Sequence, residues 1–131
     1  MTTSPFDDLY GLHILGFSDE EVRAEVVVQP HHKQPAGLVH GGVFASMAEA
    51  MTSMATYMGV KDQGQTAQGL SNHTSFLRPF LDGTIHAVAR RRHRGRTTWL
   101  WEVEVCDDAG RLCALVRMTV AVRDAPPTAA T

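Results

Sequence analysis

Gln34-Pro35-Ala36-Gly37-Leu38-Val39-His40-Gly41-Gly42, running straight into Val43-Phe44-Ala45-Ser46-Met47-Ala48-Glu49, is the stretch that decides the fold. Its first part is poor in side chains that would block a backbone approach, whereas residues 43–58 are rich in helix formers. The glycines therefore stand where a loop becomes a helix, predicted over about 42–58 with Gly59 as its stop. The first amides of a helix have no partner within it and the positive end of its dipole faces outward, so a developing oxyanion is well received there. Glu49 follows about two turns along. Backbone donors together with a carboxylate suit attack on a carbonyl carbon.

On a helical wheel Val43, Phe44, Met47, Met51, Met54, Ala55 and Met58 form a broad apolar stripe, with Gly42, Ala45, Glu49, Thr52, Ser53 and Thr56 on another side. The helix is expected to be largely enclosed. Methionines at helical spacing, without paired Cys or His ligands, read as core and not as a soft-metal site. Glu49 and Ser53 are four residues apart and share a helix face. A carboxylate on a Met-rich helix is costly to bury unpaired; wheel position alone leaves it equally a site residue or a solvated charge.

Outward from the helix, residues 12–28 read as one strand through Val22-Arg23-Ala24-Glu25-Val26-Val27-Val28, ended by Gln29-Pro30. After a Gly/Gln loop at 62–69, extended segments are predicted at about 69–78, 83–93, 97–107 and 111–123. Pro79-Phe80-Leu81-Asp82-Gly83, Arg94-Gly95-Arg96 and Asp107-Asp108-Ala109-Gly110 supply the turns, so these four read as a meander. A first strand, one helix and an antiparallel run give an α+β layer with the sheet curling around the helix.

A chain of 131 residues with 44% hydrophobic residues is the size of one domain, taken as 1–131, with a core over 12–123 and a frayed tail over 124–131. A formal charge of −2 gives no electrostatic case for nucleic-acid binding. The N-terminus lacks an export signal and no run reaches the roughly 20 apolar residues of a membrane span, which makes the cytosol the expected compartment. Cys106 and Cys113, flanking the Asp107–Gly110 turn, read as buried or half-buried thiols in that reducing setting. His31 and His32 lack a ligand partner at metal spacing and read as exposed loop histidines; His13, His86 and His93 have no constellation either. No metal and no cofactor are expected.

The order of elements, with His40-Gly41-Gly42 at the helix entrance, resembles the hotdog-fold acyl-CoA thioesterases from about residue 12 to 123. Ser75-Phe76-Leu77-Arg78-Pro79, Gly83, Gly95-Arg96-Thr97 and Asp108-Ala109-Gly110-Arg111-Leu112 are similar to the strand and turn pattern of the phenylacetate-pathway and 4-hydroxybenzoyl-CoA group. Lys33-Gln34-Pro35, Leu38, Ala48-Glu49, Ser53 and Asn72-His73 resemble its glutamate-type members, which include 1,4-dihydroxy-2-naphthoyl-CoA thioesterases. The resemblance implies a curved antiparallel sheet around one central helix, and a homodimer or a tetramer of paired dimers. It implies that the Gly41 N–H polarises the thioester carbonyl and that Glu49 attacks it or activates water. Gln34 would contact the carbonyl or leaving group, His40 would shape the site, Ser53 would hold water or the acyl ring, and His73 would meet a polar substituent of the acyl group. Gln34 and Gly41 of one subunit would face Glu49 and Ser53 of its neighbour. Gly42 would lie on the substrate, and Arg94, Arg96 and Thr97 would border the nucleotide end of coenzyme A, although arginines on a hairpin also read as a solvated face.

The expected activity is hydrolysis of an acyl-CoA, an aromatic one such as dihydroxynaphthoyl- or hydroxybenzoyl-CoA. The alternatives are a hotdog hydratase or dehydratase and a noncatalytic acyl-CoA sensor. Direct attack by Glu49 and general-base delivery of water both remain open.

Overall fold

A computed structural model describes residues 4–127. Helix α1 (Pro5–Tyr10) comes first, then β1 (His13–Phe17) and β2 (Glu21–Val27), and a 3-10 turn at Pro30–His32 precedes α2 (Gly41–Val60). β3 (Gln65–Phe76), β4 (Thr84–Arg94), β5 (Thr98–Cys106) and β6 (Leu112–Asp124) complete the elements of the described residues. All six strands form one antiparallel sheet in the order β1-β2-β4-β5-β6-β3, which curves around α2.

The expected α+β layer is present, with four differences. Residues 12–28 are not one strand: Ser18-Asp19-Glu20 turns the chain, with Ser18 Oγ accepting from the Glu20 and Glu21 N–H groups at 3.1 Å each, so β1 folds back on β2. α1 was not expected; Ser4 caps it, Pro5 opens it, and Asp7 and Asp8 complement its dipole. β4, β5 and β6 form a meander, but β3 pairs with β6 at the far edge instead of with β4. The 77–83 connection crosses the sheet end and drives Phe80 into the core, its carbonyl accepting from the Val39 N–H at 2.8 Å. Finally, Asp124 is no tail residue: it pairs with Gln65 in the ladder, and the Ala125 N–H reaches the Gly64 carbonyl at 2.9 Å. The rest of the predicted tail beyond Pro127 lies outside the described residues.

α2 runs one residue past the predicted stop at Gly59. Its buried side carries Phe44, Met47, Met51 and Ala55, with Val103, Val105, Val116, Met118 and Val120 also buried in the sheet. Each of the valines, methionines and Phe44 contributes about 1.5–3 kcal/mol by leaving water. The wheel reading is corrected here, because Thr52 and Thr56 are fully buried while Met54 and Met58 are only half-buried. The sheet wraps further round the helix than the apolar stripe does. Thr52 Oγ1 donates to the Ala48 carbonyl at 2.8 Å and Thr56 Oγ1 to the Thr52 carbonyl at 2.7 Å; Thr56 Oγ1 in turn accepts from Trp101 Nε1 at 3.0 Å. α2 is not enclosed on its other side, where Gly42, Glu49 and Tyr57 are exposed in the single chain. Cys106 and Cys113 are free thiols, half-buried and buried. Among the described residues no helix is long and apolar enough to cross a membrane.

Candidate active site

The loop before α2 is a compact turn. The Gln34 N–H bonds the Leu38 carbonyl at 2.8 Å and the Gly37 N–H the Gln34 carbonyl at 2.9 Å, with Gly37 at φ +88, a conformation that glycine adopts without steric cost. His40 then caps the helix: its Nδ1 accepts from the Gly42 N–H at 2.9 Å and its carbonyl from the Val43 N–H at 3.0 Å. The cap consumes the second glycine's donor and leaves one. The Gly41 N–H makes no hydrogen bond among the described residues, and it stands at the positive end of a twenty-residue helix. A β-carbon at Gly41 would run into the Phe76 ring as it stands, so a side chain there would have to displace that ring. Gln34, Leu38, His40, Gly41, Phe76 and Phe80 border a cavity of about 350 Å³. Gln34 Oε1 accepts from the Ala36 N–H, which leaves the amide hydrogens of Gln34 for a ligand.

Glu49 and Ser53 border a second cavity, of about 300 Å³, as their four-residue spacing predicts. Both side chains lie over Gly69 of β3, where an added β-carbon would come within 3.6 Å of Glu49 Oε1 and 3.8 Å of Ser53 Oγ. The β3–β6 register shifts between Gly69 and Ser71, so a bulge and a missing side chain make room for the carboxylate. The Glu49 carboxylate makes no hydrogen bond or ion pair among the described residues. Ser4, Phe6 and Asp7 close the other side of this cavity. Asp7 is buried, accepting from Tyr10 Oη and Ser4 Oγ at 2.8 Å each. Burial, the bond to Asp7 and the charges of Asp7 and Glu49 push the Tyr10 phenol well above its usual range. Sequence reasoning missed these three residues, although Ser4-Pro5 followed by Asp7-Asp8 is a helix-start pattern.

Within one chain the two cavities do not meet on one atom. Eight residues of helix separate Gly41 from Glu49 by about 12 Å along the axis and about 80° around it. Asn72 braces the interval, its Nδ2 donating to the Ala45 carbonyl at 3.0 Å while its Oδ1 accepts from Thr74 Oγ1 at 2.7 Å. His73 does not join Glu49 within the chain. Strand alternation turns it to the outer sheet face, opposite Arg117 and beside Ser75 and Glu102.

At the other end of α2, Arg94 Nη1 pairs with Asp19 Oδ2 at 2.9 Å and its guanidinium lies 4.6 Å from the Trp99 ring, with that of Arg91 at 4.9 Å. Arg90 and Arg92 have glutamate partners, so much of the arginine cluster is neutralised internally. Arg96 and Thr97 are exposed at the turn, and Arg96 has no ion pair among the described residues. The histidine-loop expectation is half corrected, since His31 is exposed but His32 is buried. His32 Nδ1 accepts from the Gln29 N–H at 2.8 Å and Nε2 donates to the Tyr10 carbonyl at 2.7 Å, a satisfied core histidine. Among the described residues no group of three His, Cys, Asp or Glu is placed to hold a metal ion.

The Thioesterase superfamily model matches residues 36–114. The crystal structure of a glutamine-to-alanine mutant of thioesterase PA1618 from Pseudomonas aeruginosa superposes with a TM-score of 0.85 at 36% identity, over 89% of this chain and 84% of that one. The structure of Rv1847 from Mycobacterium tuberculosis gives 0.90 at 34% identity, over 95% of this chain and 100% of that one. Proofreading thioesterase EntH of Cronobacter turicensis is 34% identical over 112 residues, 86% of this chain and 81% of its own length.

Proposed function

The chain belongs to the thioesterase superfamily and has its hotdog fold, and from that premise we propose that it hydrolyses an aromatic acyl-CoA to the free acid and coenzyme A, in a site shared by two copies of the chain. One observation carries the reading: the Gly41 N–H is left without a partner at the start of α2 while Glu49 stands unpaired on the open side of the same helix. The thioester oxygen accepts from the Gly41 N–H, with the Gln34 amide beside it, and gains negative charge as the carbonyl is attacked. Glu49 of the second copy either attacks the carbon or removes a proton from water held by Ser53. Collapse of the tetrahedral species breaks the C–S bond, and the sulfur leaves as thiolate and takes up a proton; on the direct-attack route water then cleaves the Glu49 mixed anhydride, releasing the free acid and restoring the carboxylate.

The helix spacing supports the shared site, because neither copy alone brings donor and carboxylate to one carbon. So does β3, a twelve-residue edge strand open to a second copy. His40 acts as the cap that fixes Gly41. His73 reaches the acyl group only if a neighbouring copy brings the ligand to the outer face, and Arg96 and Thr97 are the free groups of the hairpin for a coenzyme A phosphate. The compartment we expect is the cytosol.

An acyl-CoA panel read by thiol release tests the activity: release supports the esterase, water addition a hydratase, and binding without release a sensor. Carrier-protein thioesters in the same panel distinguish free coenzyme A from the same phosphopantetheine arm on a protein. Glu49→Gln is expected to lower turnover at least ~100-fold with the fold intact; a fully active Glu49→Gln protein would contradict the role.

A further inference from the structure

Nothing in the hydrolytic steps uses residues 4–10, yet this segment stands across the cavity from Glu49. Ser4, Phe6 and Asp7 form one wall of that space of about 300 Å³, and Ser46, Glu49 and Ser53 form the other. We propose that α1 is the acyl-selecting wall of the site, with Phe6 as the surface on which the acyl ring packs and Asp7 as the acceptor for a hydroxyl on that ring. This inference rests on the thioesterase reading of Glu49.

Three observations carry it. Phe6 is 61% exposed although its own helix is anchored, and its ring stands edge-on to Tyr10 at 5.5 Å between centroids, so an apolar surface borders the cavity. Asp7 is buried with a donor on each oxygen, Tyr10 Oη on one and Ser4 Oγ on the other. A carboxylate oxygen accepts more than one hydrogen bond, so the fixed group still offers lone pairs, and it offers no donor. A ligand group matched to it must donate. The third is position, since Phe6 and Asp7 border the same cavity as Glu49 and Ser53.

The test measures kcat/KM of the full-length wild type, Phe6→Ala and Asp7→Asn on acetyl-, octanoyl-, benzoyl- and 4-hydroxybenzoyl-CoA. Phe6→Ala is expected to lower the benzoyl-to-acetyl ratio about tenfold, the upper range for one aromatic contact. Asp7→Asn is expected to shrink the preference for 4-hydroxybenzoyl over benzoyl by about tenfold, the worth of one hydrogen bond to a charged group. A purely structural α1 would move all four substrates together. Ratios unchanged within about twofold in Phe6→Ala overturn the inference, and this exposed position keeps the test decisive should Asp7→Asn fail to fold. If the wild type releases no thiol from any of the four, the thioesterase reading fails and the wall with it; if the wild type is active and the ratios hold, only the wall fails.

Discussion

The two sides of α2 are built on opposite terms. Toward the sheet, Thr52 and Thr56 are paired to carbonyls, Thr56 takes the Trp101 indole, and no buried side-chain nitrogen or oxygen among the described residues lacks a partner. Toward the open side, the Gly41 N–H and the Glu49 carboxylate are left unpaired, with Ser53 beside the latter. A polar group satisfied inside the chain stabilises it but has nothing left for a ligand, whereas an unsatisfied one at the surface stays hydrated at little cost and available. Stability and chemistry therefore occupy different arcs of one helix and should respond to different substitutions.

The sharpest way to break that division is to remove the donor alone. Proline is welcome at the first helical position and has no N–H, so Gly41→Pro in a Phe76→Ala background, which clears the ring, should lose ~100- to 1,000-fold in kcat against Phe76→Ala alone. Circular dichroism and Tm should barely change; a matching collapse of Tm would tie the open side to stability after all. Mixing that chain with Glu49→Gln chains makes mixed dimers with one intact site of two, and about a quarter of the reference activity should return. No recovery would place donor and carboxylate on the same copy.

On the inner side, Thr56→Val keeps the shape and strands the Trp101 N–H without an acceptor, at a cost of about 1–3 kcal/mol read as a fall of several degrees in Tm. Turnover at a temperature where the variant is folded should match wild type. The smallest effect belongs to a turn remote from both arcs. His86 Nε2 donates to Asp108 Oδ1 at 2.8 Å and, with the Thr84 N–H, holds that carboxyl below the usual range. A lowered folded-state value means that the contribution is complete above the ordinary Asp value of about 4 and is lost as pH falls through the folded one. Asp108→Asn should make the acid limb of a Tm-versus-pH curve shallower and leave its neutral region in place.

Local chemistry was legible in the sequence, and distant pairing was not. The loop-to-helix junction at Gly41, the Glu49 and Ser53 face and the spans of β4 to β6 follow from glycines, helix spacing and turn residues that act within a few positions. The place of β3 beside β6 depends on how a crossing loop packs Phe80, which no window of residues around either strand contains. Thr52 and Thr56 defeated the wheel because the extent of the sheet, and not their own polarity, decides their burial. Two misses had a signal. Ser4-Pro5 announces α1, and a period of two separates Asn72 from His73, one facing the helix and the other the opposite face. Gly42 was legible as a glycine at a helix start, but the capture of its N–H by His40 needed the cap geometry.

The chain's two tryptophans both lie beneath the far half of α2, Trp101 against Thr56 and Trp99 against Gly59, where a β-carbon would approach its ring to 2.6 Å. Two positively charged guanidiniums flank Trp99. Intrinsic emission is thus a built-in gauge of whether the helix is seated, read at a distance from the reacting groups, so that seating and occupancy can be followed in one cuvette by separate signals.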